Sequence, residues 1–252
     1  MSRQANQEFY AKMYASGIIE QDTLENSLFY ANHEMARILQ QVAIEVTTAL
    51  ELGSGIGIDA MALAQKGVAV TALELDPTAH HQAVENQLKT GTNVEFKLDN
   101  FMEYSCTKKF DLVYYKDGFG VGEDSFQQKL LQRVTDWLEP NGRFYVDVYN
   151  PNFWQQADQV EMQLSDTIRR RYAYNQVEHN FSDTWYDEKS GEVVKQTLKC
   201  YDLATLEQLA KKANLKILAV YPSGKINYQL MQWENQATLA DCMYYQVVMG
   251  QA

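Results

Sequence analysis

The stretch from Thr47 to Gly57, Thr-Thr-Ala-Leu-Glu-Leu-Gly-Ser-Gly-Ile-Gly, constrains this chain more than any other. It reads as a short apolar strand, a loop with glycine at every second position, and a helix starting near Ile58. Glycine at this density marks backbone that turns sharply or approaches a ligand, because a Cβ would obstruct either. The first amides of the following helix are unpaired and lie at the positive end of its dipole. Two nucleotide loops differ from this pattern. The phosphate-cradling G-x-x-x-x-G-K-[ST] is absent, and the dinucleotide form G-x-G-x-x-G would place its third glycine one position after Gly57. What stands here is Glu-x-Gly-x-Gly-x-Gly, with Glu51 as the last inward residue of the strand. A carboxylate at that point would repel a pyrophosphate and suit an ammonium group, which favours a cofactor that carries an amino acid.

The downstream elements fall where a mononucleotide-binding βαβ unit needs them. Residues 58–66 predict a helix, Gly67 breaks it, and Val68 to Leu75 alternates as a strand running into Glu74-Leu75-Asp76-Pro77. Glu74 follows Gly53 by 21 residues, close to the spacing at which an acidic residue meets ribose hydroxyls. Pro77 opens a further helix, so Glu74 or Asp76 could instead be its cap; with the glycine loop upstream, the ribose falls to Glu74 and the cap to Asp76.

These motifs resemble motif I and its surroundings in the class I S-adenosylmethionine (SAM) methyltransferases. The resemblance implies a Rossmann-like α/β fold: a seven-stranded, mostly parallel sheet with helices on both faces, plus N-terminal helices and an inserted antiparallel β lid. It implies SAM as cofactor and S-adenosylhomocysteine (SAH) as product. It places cofactor contacts at Glu51, Gly53, Ser54, Gly55 and Gly57 in the loop, and at Glu74 and Leu75 after the second strand. Further contacts fall at Asp99, Asn100 and Phe101 after the third strand, at Lys116 ending the fourth, and at Tyr14. An aspartate at position 99 would accept a hydrogen bond from the adenine exocyclic amine, an acceptor-only group meeting a donor-only one. A plain turn is the alternative there, since Asp-Asn is common in turns.

The remaining chain completes the alternation. Residues 5–16 and a longer helix through Leu24, Leu28, Ala31, Met35, Ile38 and Val42 precede the first strand and are expected to cover the cleft. Tyr10 and Tyr14 are four apart and share a helical face; they line the site or merely seat the helix. Phe110 to Lys116 is the fourth strand, opening into the loop Asp117-Gly118-Phe119-Gly120. Asp124 or Ser125 is the expected cap of the next helix, and Glu139-Pro140-Asn141-Gly142 the turn before the strand Arg143–Tyr149. From 151 to 200 the rhythm breaks into three polar-aromatic strands, at 167–175, 177–186 and 193–201. His179, Tyr172, Tyr174, Trp185 and Tyr186 are candidate lining residues of this lid, or one packed face of a small sheet. Arg170 would face opposite to Arg169 and Arg171, and an inward arginine would favour an anionic acceptor group. One domain over 1–252 is expected: a helical cap (1–45), a SAM-binding core (46–150), the lid (151–200) and the end of the core (201–252).

Composition narrows the partners. The net charge of −11 argues against nucleic acid as methyl acceptor, because phosphate backbones attract basic surfaces. No apolar run approaches the roughly 20 residues of a membrane helix. Cys106, Cys200 and Cys242 are widely spaced and in no metal-ligand pattern, which suits a reducing cytoplasm and metal-independent chemistry. The expected partner is therefore a small-molecule methyl acceptor, with no nucleic acid and no membrane.

Methyl transfer from a sulfonium is an in-line displacement in which the protein aligns the acceptor atom behind the methyl group. By resemblance the acceptor sits at the Asp117 loop. The Pro-Pro-aromatic loop of adenine and glutamine N-methyltransferases is missing there. Asp117 and His179 are the candidate base or acceptor-orienting groups for a nitrogen or oxygen acceptor. Three rivals remain: a nicotinamide oxidoreductase, which lacks its loop spacing and hydride-site pair here; an aminopropyl transferase, which would carry paired carboxylates at the Asp117 loop; and a non-catalytic SAM/SAH-binding module.

Overall fold

The computed structural model describes residues 8–13 and 23–252. Residues 8–13 are helical (α1). Helix α2 (Leu24–Val42) begins where the Thr23 hydroxyl accepts from the Asn26 amide at 3.2 Å. Its buried stripe, Leu28, Ala31, Met35, Ile38 and Val42, keeps one apolar face toward the sheet. The expected cover of the cleft is thus divided. α2 is a core element packed on the helix that follows the glycine loop, and α1 alone of the two lines the cleft.

The βαβ series follows with β1 (Thr48–Leu52), α3 (Ile58–Ala64), β2 (Ala69–Glu74), α4 (Pro77–Thr90) and β3 (Val94–Leu98). β4 (Phe110–Phe119), α5 (Asp124–Trp137) and β5 (Leu138–Tyr149) continue it. After the insertion come α7 (Leu203–Lys212), β10 (Leu215–Pro222) and β13 (Tyr244–Gln251). The seven-stranded sheet has the order β10-β13-β5-β4-β1-β2-β3. β13 runs antiparallel between β5 and β10, and the other pairs are parallel. Central strands are apolar on both faces because helices cover both: α2 and α3 on one, α5 and α7 on the other. Reversal of strand order between β1 and β4 puts the cleft at their carboxyl ends.

Several boundaries differ from the sequence reading. Glu139–Gly142 is a bulge inside β5 and not a turn before it, since Phe110 pairs with Leu138 and Leu112 with Arg143. Glu123 is the N-cap of α5 without a side-chain hydrogen bond, while Asp124 accepts from the Tyr201 hydroxyl at 2.8 Å. A short hairpin, β11 (Lys225–Asn227) with β12 (Gln232–Glu234), fills the connection before β13.

The insertion starts with α6 (Pro151–Gln156), capped by Asn150. It then forms a four-stranded antiparallel sheet, β6 (Glu161–Gln163), β7 (Ile168–Asn175), β8 (Asn180–Asp187) and β9 (Val193–Lys199). Its aromatics seat it on the core. Trp154 stacks on Phe181 at 3.6 Å, and both pack with Tyr149, Phe153, Tyr172 and Leu198. Phe9 of α1 packs against Ile168, Trp185 and Val194 on the same sheet. β9 hooks onto the loop after β4: the Lys199 amide donates to the Gly120 carbonyl at 2.9 Å, and Val121 bridges Leu198. At Gly120 a Cβ would stand 2.4 Å from the Lys199 carbonyl oxygen, so this approach requires glycine.

Candidate active site

A cavity of about 680 Å³ opens at the carboxyl ends of β1, β2 and β4, within the size range of ligand pockets. Its floor is the glycine loop. Glu51, the last residue but one of β1, is buried beneath it, and Gly53, Ser54 and Gly55 line the wall. Glu51 Oε2 and Ser54 Oγ are buried and have no hydrogen-bond partner among the described residues. Burial holds the Glu51 carboxyl well above the usual range; Asp59 adds to this, and Lys116 and Tyr114 oppose it. An orphaned carboxylate oxygen beside an orphaned hydroxyl fits the ammonium and carboxylate of an amino-acid end. That is the group SAM presents.

Glu74 ends β2 at the next wall. Its carboxylate accepts the Gly55 amide at 2.6 Å and the Leu75 and Asp76 amides at 2.8 Å each. Three of its roughly four acceptor positions are therefore taken by backbone, leaving one for a ligand in the cavity that Glu74 lines. Burial raises its pKa and the three amides pull it back. Asp76 is the cap of α4, accepting from the Ala79 amide at 2.9 Å, so the two acids divide the roles as the spacing predicts. Leu75, Asn100 and Phe101 line the same wall.

At the far end β4 bulges. Tyr115 pairs with Val146 and Phe119 with Val148, so Lys116, Asp117 and Gly118 stand against Asp147 alone, a surplus of two residues. Asp117 takes a φ of +51°, a left-handed conformation that aspartate tolerates better than most residues. The bulge re-aims Asp117 into the cavity. The Tyr149 hydroxyl fixes it there, donating to both its carbonyl oxygen and Oδ1. Water reaches the Asp117 carboxylate through the cavity, yet the enclosing protein still raises its pKa; Tyr149 and then Arg170 act against that rise.

Lys116, from the same bulge, is held by Asp59 at 2.7 Å and Glu34 at 3.4 Å. Burial alone would lower its pKa, but Asp59, Glu34 and Asp147 outweigh it and keep the lysine charged. Asp147 lies buried on β5 and receives the Asp117 amide. Burial pushes its carboxyl up to about 8, with Lys116 opposing and Glu34 and Asp117 adding to the rise.

Other expected site residues fall elsewhere. Tyr14 lies outside the described residues. Gly57 faces away from the cavity as the N-cap of α3. Asp99 does not line the cavity; its amide donates to the Glu74 carbonyl and its Oδ1 accepts from Asn100, so it serves the turn. His179 is exposed in the β7–β8 turn, away from the cavity lining. Tyr172, Tyr174, Trp185 and Tyr186 do not line it either: packing takes the first three, and the Arg169 guanidinium lies over the Tyr186 ring. Arg170 does point inward, but Asp183 binds it through two hydrogen bonds of 2.8 and 2.7 Å, so it offers no free cation to an anionic acceptor.

The sequence reading missed the cluster of Glu34, Asp59, Lys116 and Asp147, and the Tyr149 clamp. A signal existed in β5, where Tyr145, Asp147 and Tyr149 alternate with Phe144, Val146 and Val148 and so share one face.

A family model described as a methyltransferase domain matches residues 28–220. A tRNA1(Val) (adenine(37)-N6)-methyltransferase of Glaesserella parasuis is 34% identical over 112 residues, which are 37% of this chain and 48% of that protein. The chain thus spans about half the length of the curated relatives it matches. Among solved structures, the CcbJ methyltransferase from Streptomyces caelestis aligns with a TM-score of 0.74 at 19% identity, covering 97% of this chain and 98% of that one. SAM-bound CalS10, an amino pentose methyltransferase from Micromonospora echinaspora, aligns at 0.61 with 14% identity, covering 87% and 91%. The curated relatives overturn one expectation. Net charge argued against nucleic acid and for a small-molecule acceptor, yet the matching relatives are named for a tRNA adenine. Whole-chain charge is an average and does not report the surface that meets the acceptor. Among the described residues no helix is long and apolar enough to cross a membrane.

Proposed function

The chain belongs to the methyltransferase-domain family, and from that premise we propose that it transfers the methyl group of SAM to a nitrogen or oxygen acceptor held at Asp117. The observation that carries this is the continuity of one cavity from Glu51 and the glycine loop, past Glu74, to the Asp117 bulge. SAM supplies an electrophilic methyl carbon on a sulfonium. Glu51 and Ser54 hold its amino-acid end, Glu74 its ribose, and Asn100 and Phe101 flank its base. Lys116, neutralised by Asp59 and Glu34, braces the bulge from behind. Asp117 receives the acceptor and aligns it for in-line displacement.

The names of the relatives bring a nucleobase nitrogen within this reading, so tRNA belongs among the acceptors tried. Calorimetric titration with SAM and SAH is the test of the cofactor half. Wild type is expected to bind both. Glu74→Ala removes a hydrogen-bond acceptor from the cavity and weakens binding by about 10- to 100-fold. Absence of binding by folded wild type refutes the assignment.

A further inference from the structure

We propose that the acceptor is an alkyl amine that arrives as an ammonium ion, on whatever scaffold carries it, and that Asp117 recognises it. The inference rests on the methyl-transfer reading and names the acceptor chemistry of the same cavity. Among the described residues, six carboxylates line the cavity, Glu8, Glu51, Asp59, Glu74, Asp76 and Asp117, against one cation, Lys116. Four have assigned work: Glu51 at the amino-acid end, Asp59 on Lys116, Glu74 on three amides, and Asp76 on α4. Asp117 adds negative charge at the acceptor end, where nearby Arg170 is already paired with Asp183. The Tyr149 hydroxyl engages Oδ1 of Asp117, so Oδ2 is the oxygen left for a ligand. Tyr10 and Phe126 add aromatic lining, whose faces attract cations. An alcohol would find an excess of acceptors and no counter-charge to its alkoxide.

The same group accounts for the proton. The Asp117 carboxylate takes one proton from the ammonium, leaving a neutral amine, and its raised pKa favours holding it. The nitrogen lone pair forms the new N–C bond as the S–C bond breaks, its electron pair staying on sulfur. The methylated ammonium leaves, and Asp117 passes its proton to water.

The test is ligand-observed NMR on SAH-saturated protein with matched probes: benzylamine beside benzyl alcohol, phenethylamine beside phenethyl alcohol, cyclohexylamine beside cyclohexanol. Asp117→Asn is run in parallel, with retained SAH binding as the check on its fold, and a separate arm without SAH supplies SAM together with the amines or a tRNA transcript and scores methyl transfer. Amines are expected to bind about tenfold or more tighter than their alcohols, and Asp117→Asn to erase the difference. Equal binding within the pairs, or a preference that survives Asp117→Asn, overturns the proposal. Methylation confined to the transcript overturns it too, while leaving the methyl-transfer reading intact. Failure of the wild type to bind SAH overturns both.

Discussion

Replacing Gly57 with alanine separates packing from ligand contact in the glycine loop. Gly57 has a φ of +82°, and a Cβ there would lie 2.5 Å from Cζ of Phe96 and 3.0 Å from Cβ of Ala83. The left-handed backbone costs an L-residue about 1–2 kcal/mol. Overpacking adds about 1–3 kcal/mol, at the lower end here because the Phe96 ring edge is half-buried and can yield. The sum is about 2–4 kcal/mol, a large part of a typical domain's margin. Urea denaturation measures it. The steric part belongs to one pair, so combining Gly57→Ala with Phe96→Ala should show a favourable coupling of about 1 kcal/mol. The backbone part is not recovered. Because Gly57 faces β3 and α4, SAM affinity of the folded variant should stay within about twofold of wild type, a change under 1 kcal/mol. A loss of stability below about 1 kcal/mol, or no coupling to Phe96, refutes the argument from geometry. A collapse of SAM affinity in a folded variant would return Gly57 to the binding residues.

Asp147 gives a prediction in pH. Its folded pKa of about 8 lies above its unfolded value, so the folded state binds the extra proton between about pH 4 and 8. Its contribution is fully present below the unfolded pKa and is lost as pH rises through the folded one. Chemical denaturation across that window should show stability falling by up to about 1.4 kcal/mol per pH unit. Asp147→Asn should flatten the slope, even with Lys116, Glu34, Arg37, Tyr145 and Tyr244 facing the site; an unchanged slope refutes the assignment to Asp147. Asp183→Asn strands the Arg170 charge and should cost about 2–4 kcal/mol, less than a fully buried pair because Arg170 is partly exposed. Arg170→Met with Asp183→Leu should recover most of that in thermal melts; a double variant no more stable than Asp183→Asn counts against the pairing.

The elements that could be read from sequence were those fixed by local rules. Glycine at 53, 55 and 57, Gly67 and Gly91 as breaks, and Asp76-Pro77 as a cap each act within a few residues, and the βαβ core follows from them. The cofactor side of the site inherited that clarity, since Glu51 and Glu74 end strands at set distances from the loop. The acceptor side did not. Asp117 reaches the cavity through a bulge whose register depends on β5, and Tyr149 meets it from 32 positions away. Lys116 is neutralised by Glu34 and Asp59 from two different helices. His179 looked like chemistry because histidine is chemically versatile; a turn took it to the surface. The lid aromatics looked like a pocket because packing and binding draw on the same residues.

The hook between β9 and the loop at Gly120 ties the insertion to the cavity wall that carries Asp117 and Val121. The inserted sheet reaches the cavity at one remove, through Val121, whose partner Leu198 sits on β9, and through α1, whose Phe9 packs on the sheet while Tyr10 lines the cavity. The glycine loop and Glu74 belong to other strands and take no part in that linkage. A change in the inserted sheet is therefore felt at the Asp117 end of the cavity, while the glycine loop and Glu74 keep their places.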